Sequence, residues 1–552
     1  MRLTHLATSA AIAVLAAACG GNDRSGTTDV DESTAASALE ALHLATSGEG
    51  AVSWGGRTFD DGVYTFTDVV FSDLNDDEDD EDDAEDGEDG EDDAVEIDTD
   101  MEFDSVRAER MIVAAPRFDE DGNVIFDRLS IEDARFVGDD DDTDGGFDRF
   151  VLEQPNAAMV ADFARGFSGE DSDDDANPQV FSTYRFETLA LEGLSFVSTE
   201  AGEEGEFGLT RFAMEGYTGD RLGLFELSGL RFEGEDPDTG PIVIRLDTIA
   251  MENIGPSFMH SLDRGIADAM AAEAGEETDA PAEEFDLDTY DPFDAYESFR
   301  MTGLDANIGG ILVTMDSMSA AIERGRGEVV MTSEMTPLVV RPDTNQPLGA
   351  QFAMGLGMLG YQQIELHGAS EAVYDEAGDR VFTRGDNYFE MTDGFRIEGE
   401  SDFGGYLAYA REAMRMSTGD FDEETFDGDA ILAMFDPLVI NSFVLRLEDH
   451  SLLDRALTAG SAAQGMSKEE LRQQAGAMVS LGMLGMPAEI PRPLVSQLSS
   501  ALVSFINEGG TITISVQPDE PISVGALARA AEDGSFDFDA YGITVTAEPA
   551  DE

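Results

Sequence analysis

Between Val52 and Phe258 apolar residues alternate with a period of two, and the alternation breaks in a repeated way. Apolar side chains fall at positions i, i+2, i+5 and i+7, with a turn-forming residue at i+4. Four stretches carry the pattern in full: Tyr64, Phe66, Val69 and Phe71 around Asp68; Leu129, Ile131, Ala134 and Phe136 around Asp133; Leu189, Leu191, Leu194 and Phe196 around Gly193; and Phe225, Leu227, Leu230 and Phe232 around Gly229. Shorter copies centre on Gly216, Asn253 and Gly368. Period-two spacing before and after the break is strand on both sides. The two polar positions between the halves shift the phase of the inward face. Gly, Asp or Asn at i+4 is what a left-handed backbone position selects, as at a bulge or a corner. A helix would instead repeat at i, i+3, i+4 and i+7. The stretches therefore predict bent strands, and their uneven spacing argues against a fixed-period solenoid.

Two further segments, 117–126 and 373–382, read as hairpins. The C-terminal portion mixes periods. Residues 438–447 look like a strand, followed by helical spacing over 452–463, 467–484 and 494–507. Ser467 and Glu470 form a capping box at the start of the second of these. Strands over 511–517 and 543–547 then flank a short helix near 524–531. The predicted fold is predominantly β with a smaller α+β C-terminal part. Its many short, bent, antiparallel strands would form a curved sheet, a sandwich or a groove.

Composition shifts mark the divisions: a signal peptide over 1–18, a tether over 19–50 holding one short helix (33–46), and a β-rich domain over 51–270. An acidic, Ala-rich linker (271–289), a second β-rich region (290–420) and an α+β region (421–552) follow. Within the first β-rich domain, 76–93, 139–148 and 170–175 are acidic runs that read as solvated loops.

The N-terminus carries the most specific motif. Arg2 precedes an apolar stretch, residues 6–18, that is too short to span a bilayer, and Cys19-Gly20-Gly21 follows directly. Leu15-Ala16-Ala17-Ala18-Cys19 resembles the lipobox of bacterial lipoproteins, with Leu15 four residues before the Cys where three is commoner. The resemblance implies that Cys19 is acylated and becomes the mature N-terminus. With Gly20 rather than Asp following it, the family's sorting rule implies the outer membrane, and two or three acyl chains anchor stably. Cys19 is also the only cysteine, so no intramolecular disulfide can form. The bent-strand style and the envelope address together resemble the AsmA-like β-groove proteins, whose curled sheets carry lipids in an apolar channel.

Charge narrows the partners. There are 119 Asp and Glu against 31 Lys and Arg, a net charge of −88, and Lys468 is the only lysine. The 76–93 run holds 15 acidic residues in 18 positions, so the rest of the chain stays strongly acidic without it. Nucleic-acid binding needs a basic face, and docking on anionic lipid usually needs a polybasic one; neither fits. Pervasive acidity suits a saline setting, where a short Debye length makes self-repulsion tolerable.

Catalytic signatures are scarce. His43, His260, His367 and His450 lack a His or Cys partner at metal-ligand spacing, and there is no H-E-x-x-H, G-x-S-x-G or Walker A motif. Residues 355–360 match G-x-G-x-x-G, but a nucleotide site needs a strand before and a helix after it, whereas 361–366 reads as strand. One loop follows calcium logic. Asp140, Asp142, Asp144 and Asp148 offer oxygens at positions 1, 3, 5 and 9 around Gly145 at position 6. Position 12 is Val151 rather than Glu, and the flanks read as strand rather than helix. No other cofactor is implied. Finally, Leu-Gly-Met-Leu-Gly occurs twice, at 356–360 and 481–485, read as core filler on a strand and on a helix. Were these stretches exposed, flexible Met would suit a variable apolar ligand. The expectation is a non-enzymatic envelope lipoprotein with a binding or scaffolding body. The alternative is a lipid carrier or chaperone with an apolar β-groove.

Overall fold

The computed structural model describes residues 30–72, 105–138, 143–169, 181–198, 205–236, 239–259, 290–418, 432–484, 492–532 and 540–550. They form two units: Met1–Pro237 with Arg245–Ala280, and Asp238–Ile244 with Pro281–Glu552. The expected 271–289 linker and the 76–93 and 170–175 loops lie outside the described residues.

Unit 1 begins with helix α1 (Glu32–Ala41), followed by β1 (Val52–Asp60), β2 (Val63–Ser72) and β3 (Ser105–Ala114). The small hairpin of β4 (Arg117–Phe118) and β5 (Val124–Ile125) comes next, then β6 (Arg128–Val137), β7 (Thr143–Glu153) and helix α2 (Ala157–Ser168). Strands β8 (Phe186–Ser198), β9 (Gly205–Tyr217) and β10 (Leu222–Asp236) follow, and β11 (Gly240–Ile254) contains the division between units. From β1 to β10, leaving out the hairpin, each strand pairs antiparallel with the next.

Register explains the broken alternation. Phe66, Met111, Ile131, Phe150, Leu191, Phe212 and Leu227 lie opposite one another in a single row across seven strands. Two residues beyond that row, on β2, β6, β8 and β10, the backbone turns left-handed at Asp68 (φ 52°), Asp133 (φ 53°), Gly193 (φ 70°) and Gly229 (φ 65°). On the strands between, the same step holds Glu109, Asp148 and Thr210. The bends thus line up as one crease. Past it the phase is reversed, so Asp68 is exposed while Val69 is buried. Gly216 and Asn253 are also left-handed (φ 69° and 51°).

The inner face is covered from the N-terminal side. The Asp31 carboxylate accepts from the Ser33 and Thr34 amides, both at 3.1 Å, and starts α1. Leu39, Leu42 and Leu44 have no exposed surface. Residues 30–50, expected to be tether, are therefore partly core, and the expected 33–46 helix stops at Ala41, with His43 left-handed after it. Helix α2, capped by the Asn156 side chain, adds Met159, Val160, Ala164 and Phe167. Among the described residues, 36 buried apolar side chains join in one cluster.

Unit 2 contains β12 (Ser298–Ile308), β13 (Ile311–Arg324), β14 (Glu328–Pro342), helix α3 (Pro347–Met358), β15 (Ile364–Asp375), β16 (Arg380–Thr383), β17 (Tyr388–Met391) and β18 (Phe395–Gly404). Helix α4 (Tyr406–Thr418), β19 (Val439–Asp449) and helices α5 (Leu452–Gln464), α6 (Lys468–Leu484) and α7 (Arg492–Glu508) follow. The last elements are β20 (Gly510–Val516), β21 (Ile522–Ser523), α8 (Val524–Glu532) and β22 (Ile543–Glu548). Antiparallel pairing runs from β12 through β15 to β17, β18, β19, β20 and β22. Because β18 pairs with β19, residues on both sides of position 420 share a sheet. The capping box closes reciprocally, with the Ser467 amide donating to Glu470 at 2.9 Å and the Glu470 amide to Ser467 Oγ at 3.2 Å.

Two details of unit 2 differ from expectation. Gly368 is not left-handed, and the irregularity lies in the facing strand β14, between Met335 and Leu338. Pro337, in that gap, has no N–H to pair, so the break falls there rather than at the glycine. Conversely, Phe299, Met301, Leu304 and Ala306 around the left-handed Gly303 (φ 68°) are a full copy of the bent-strand pattern that the sequence reading passed over.

Candidate functional site

The described residues include only part of the expected calcium loop. Asp140, Asp142 and the lipobox Cys19 lie outside the described residues. Asp144 and Asp148 are both exposed and both on β7, a strand paired on each side. Four residues of strand span about 13 Å, too far for both carboxylates to reach one ion at the 2.3–2.6 Å that calcium requires. The Asp148 carboxylate instead packs against Gly193, where an added Cβ would meet Oδ2 at 2.2 Å. Among the described residues no group of three or more His, Cys, Asp or Glu is placed to hold a metal.

The G-x-G-x-x-G run lies at the C-terminal end of α3 and precedes β15, the reverse of the order a phosphate-binding turn needs. The first Leu-Gly-Met-Leu-Gly copy is therefore helical, not strand. Two histidines approach one carboxylate: His367 Nε2 and His450 Nδ1 each stand 3.8 Å from Glu390, beyond hydrogen-bond range. Glu390 is bonded instead to Arg396 at 2.9 Å, whose guanidinium lies 4.0 Å over the Tyr388 ring. Burial opposes the charge on Arg396, but the hydrogen bonds it donates to Glu398 and Glu390 outweigh it and raise its pKa. This is the ionic lattice of an outer sheet face. The same face carries Arg300, Ser319, Glu334, Ala369, Tyr388, Glu398, Arg446, Thr513 and Thr546 in one continuous row.

The opposite face of unit 2 is apolar over the same distance. Met301, Met318, Met335, Gly368, Phe389, Ile397, Leu447, Ile512 and Ala547 lie side by side across nine strands. At the usual strand spacing the row is roughly 38 Å long. Ile512 is buried near α7, which packs along β20 and β22. Helix α3 covers the neighbouring row, where Leu356, Tyr361 and Met391 form a small buried cluster with Leu366 and Phe395 around it. The Met301–Met318–Met335 stretch is only half-buried, and Phe389 is 40% exposed. The fully buried clusters of unit 2 among the described residues hold three side chains each, Phe293, Val329 and Tyr374 in one and the α3 group in the other.

Both repeated motifs reach the surface. Met354 and Met358 on α3 and Met478 on α6 are each 65% exposed, and Leu481 is 68% exposed. The sequence reading flagged the motifs, but it did not find the methionine row, because that row exists only once the register of separate strands is known. The bent-strand copy around Gly303 is the signal that points to it. No described helix is long and apolar enough to cross a membrane.

A family model described only as "Uncharacterized protein" matches residues 388–548, from the first residue of β17 to the last of β22. No curated protein matches the chain.

Proposed function

We propose that this chain is a non-enzymatic, lipid-anchored envelope protein whose unit 2 binds lipid acyl chains on its apolar sheet face. The observation carrying this reading is the half-buried row from Met301 to Phe389. Burying apolar surface is the main favourable term available to this face, at about 25 cal/mol per Å². The row's side chains carry no hydrogen-bonding oxygen or nitrogen, so they suit an acyl chain, which has no polar demand of its own, better than a peptide backbone, which does. Methionine adapts its shape to chains of different length and unsaturation. The anchor rests on the Leu15–Cys19 motif, and the outer membrane on Gly20. A scaffolding role is the second reading, favoured by the filled core of unit 1.

Native mass spectrometry of Cys19→Ala protein, which lacks the anchor, tests the binding. Co-purified lipid is expected, reduced at least several-fold by Met318→Glu. Lipid-free protein, or an undiminished load in the variant, refutes the reading. Cys19→Ala should also abolish incorporation of labelled fatty acid; retained label refutes the anchor.

A further inference from the structure

We infer that helix α3 rests on a net-neutral, zwitterionic lipid surface and forms the entry side of the apolar face of unit 2. The inference builds on the acyl-chain reading above and adds where the ligand enters and from what kind of surface. In a chain with 27% charged residues, α3 (PLGAQFAMGLGM) has none. Its exposed positions Ala350, Gln351, Met354, Gly357 and Met358 follow helical spacing and form one face. An added Cβ at Gly355 or Gly357 would meet nothing within 4 Å, so among the described residues no neighbour packs there.

Charge selects the occupant. A second copy would bring another −88, and an anionic bilayer would repel the body in the same sense. A zwitterionic surface has no net charge to oppose approach. The α3 face can enter its headgroup layer without stripping water from any ionised side chain. Continuity supplies the second argument. The far side of α3 carries Leu356 into the cluster with Tyr361 and Met391, on the apolar sheet face. A lipid leaving a bilayer beneath α3 would therefore reach that face without crossing the charged outer one. The C-terminal half of α6 repeats the character: residues 473–484 carry no charge and expose Met478 and Leu481.

Flotation of full-length Cys19→Ala protein with phosphatidylcholine vesicles tests this directly. The protein is expected to float, and Met354→Glu/Met358→Glu should cut the bound fraction at least about tenfold, given the apolar area two Met side chains bury. Met354→Gln/Met358→Gln, judged folded by circular dichroism, should give a smaller loss. Vesicles containing phosphatidylglycerol should bind less at low salt than at high salt. Absence of flotation, or equal flotation of the Glu variant, overturns the inference. So does a Glu variant whose only change is a lower mass by light scattering, since a second copy would then cover α3. Co-purified lipid read by native mass spectrometry reports the sheet face separately. In the Glu variant, loss of flotation with that lipid retained confirms that α3 is the contact, whereas lipid-free protein that still floats refutes the acyl-chain reading and with it the entry role, leaving the surface contact standing.

Discussion

The two units repeat one strand design and seal it differently. In unit 1 the row from Phe66 to Leu191 lies under α1, α2 and the β4–β5 hairpin, and its five side chains are at most 8% exposed. In unit 2 the corresponding row from Met301 to Phe389 runs beside a left-handed crease residue of the same kind, Gly303, but stays half-buried. Strand geometry is therefore not what decides whether the face is core or surface. The difference lies in what is laid on it: two amphipathic helices and a hairpin in unit 1, and in unit 2 helices that cover neighbouring parts. A bent antiparallel sheet with one apolar side is a neutral platform, and burial makes it structural while exposure makes it available.

The largest expected effect tests that contrast. Phe150→Ala removes a fully buried ring from unit 1 and should cost about 3–5 kcal/mol, whereas Met318→Ala, on the half-buried row of unit 2, should cost only about 1. Chemical denaturation followed through each unit's transition measures both. Equal losses would mean that unit 2 is as sealed as unit 1, and the comparison would fail.

The crease offers the next largest effect. An added Cβ at Gly193 would meet the Asp148 carboxylate, and one at Gly229 would meet Thr210 Oγ1 at 2.0 Å; both glycines are also left-handed. Gly193→Val should therefore cost about 2 kcal/mol or more, while Asp68→Gly, which relieves a left-handed non-glycine, should be neutral or stabilising by up to about 1 kcal/mol. Thermal unfolding distinguishes the two signs. Gly303→Val makes the same test in unit 2, where a similar loss would show that both creases depend on the same backbone freedom.

These positions also mark how far the sequence could be read. Asp68, Asp133, Gly193 and Gly229 were legible because a left-handed residue leaves a local trace, a phase change in the alternation within seven residues. Gly368 misled because the break it suggested was absorbed by β14 at Pro337, on another strand. Leu39 and Leu42 announced a helix face, but nothing local told whether that face docks on a sheet or swings free, so 30–50 read as tether. The first Leu-Gly-Met-Leu-Gly read as strand because glycine and methionine give no periodic signal, and α3 is held by packing of Phe352 and Leu356 rather than by propensity. The methionine row was invisible because it is a property of register, assembled from residues up to 246 positions apart (Met301 and Ala547). Asp144 and Asp148 mark a different limit, since ligand-like spacing along the chain does not by itself bring two carboxylates together on a strand.

The smallest effects are titrations confined to unit 2. Burial alone would raise the Asp402 pKa, but hydrogen bonds from Arg380 and Asn441 (3.0 Å) outweigh it and hold the carboxyl below its usual value of 3.8. A carboxyl lowered on folding contributes stability above its unfolded value and loses it as pH falls through the folded one. Asp402→Asn should therefore flatten the acid limb of unit 2 below about pH 4. Tyr374 gives the alkaline counterpart. Burial beside Phe293, whose ring stacks at 4.5 Å, and the nearby Asp379 carboxylate push its hydroxyl up to about 12 from 10.0. A group raised on folding stabilises the native state fully below its unfolded value, so this contribution should be intact to pH 10 and fade as pH rises through 12. Tyr374→Phe should remove that slope from the unit 2 transition and leave unit 1 unchanged. Tyrosinate absorbance recorded alongside unfolding checks it. A slope that persists in the variant would place the alkaline sensitivity elsewhere and leave the Phe293–Tyr374 cluster as packing alone.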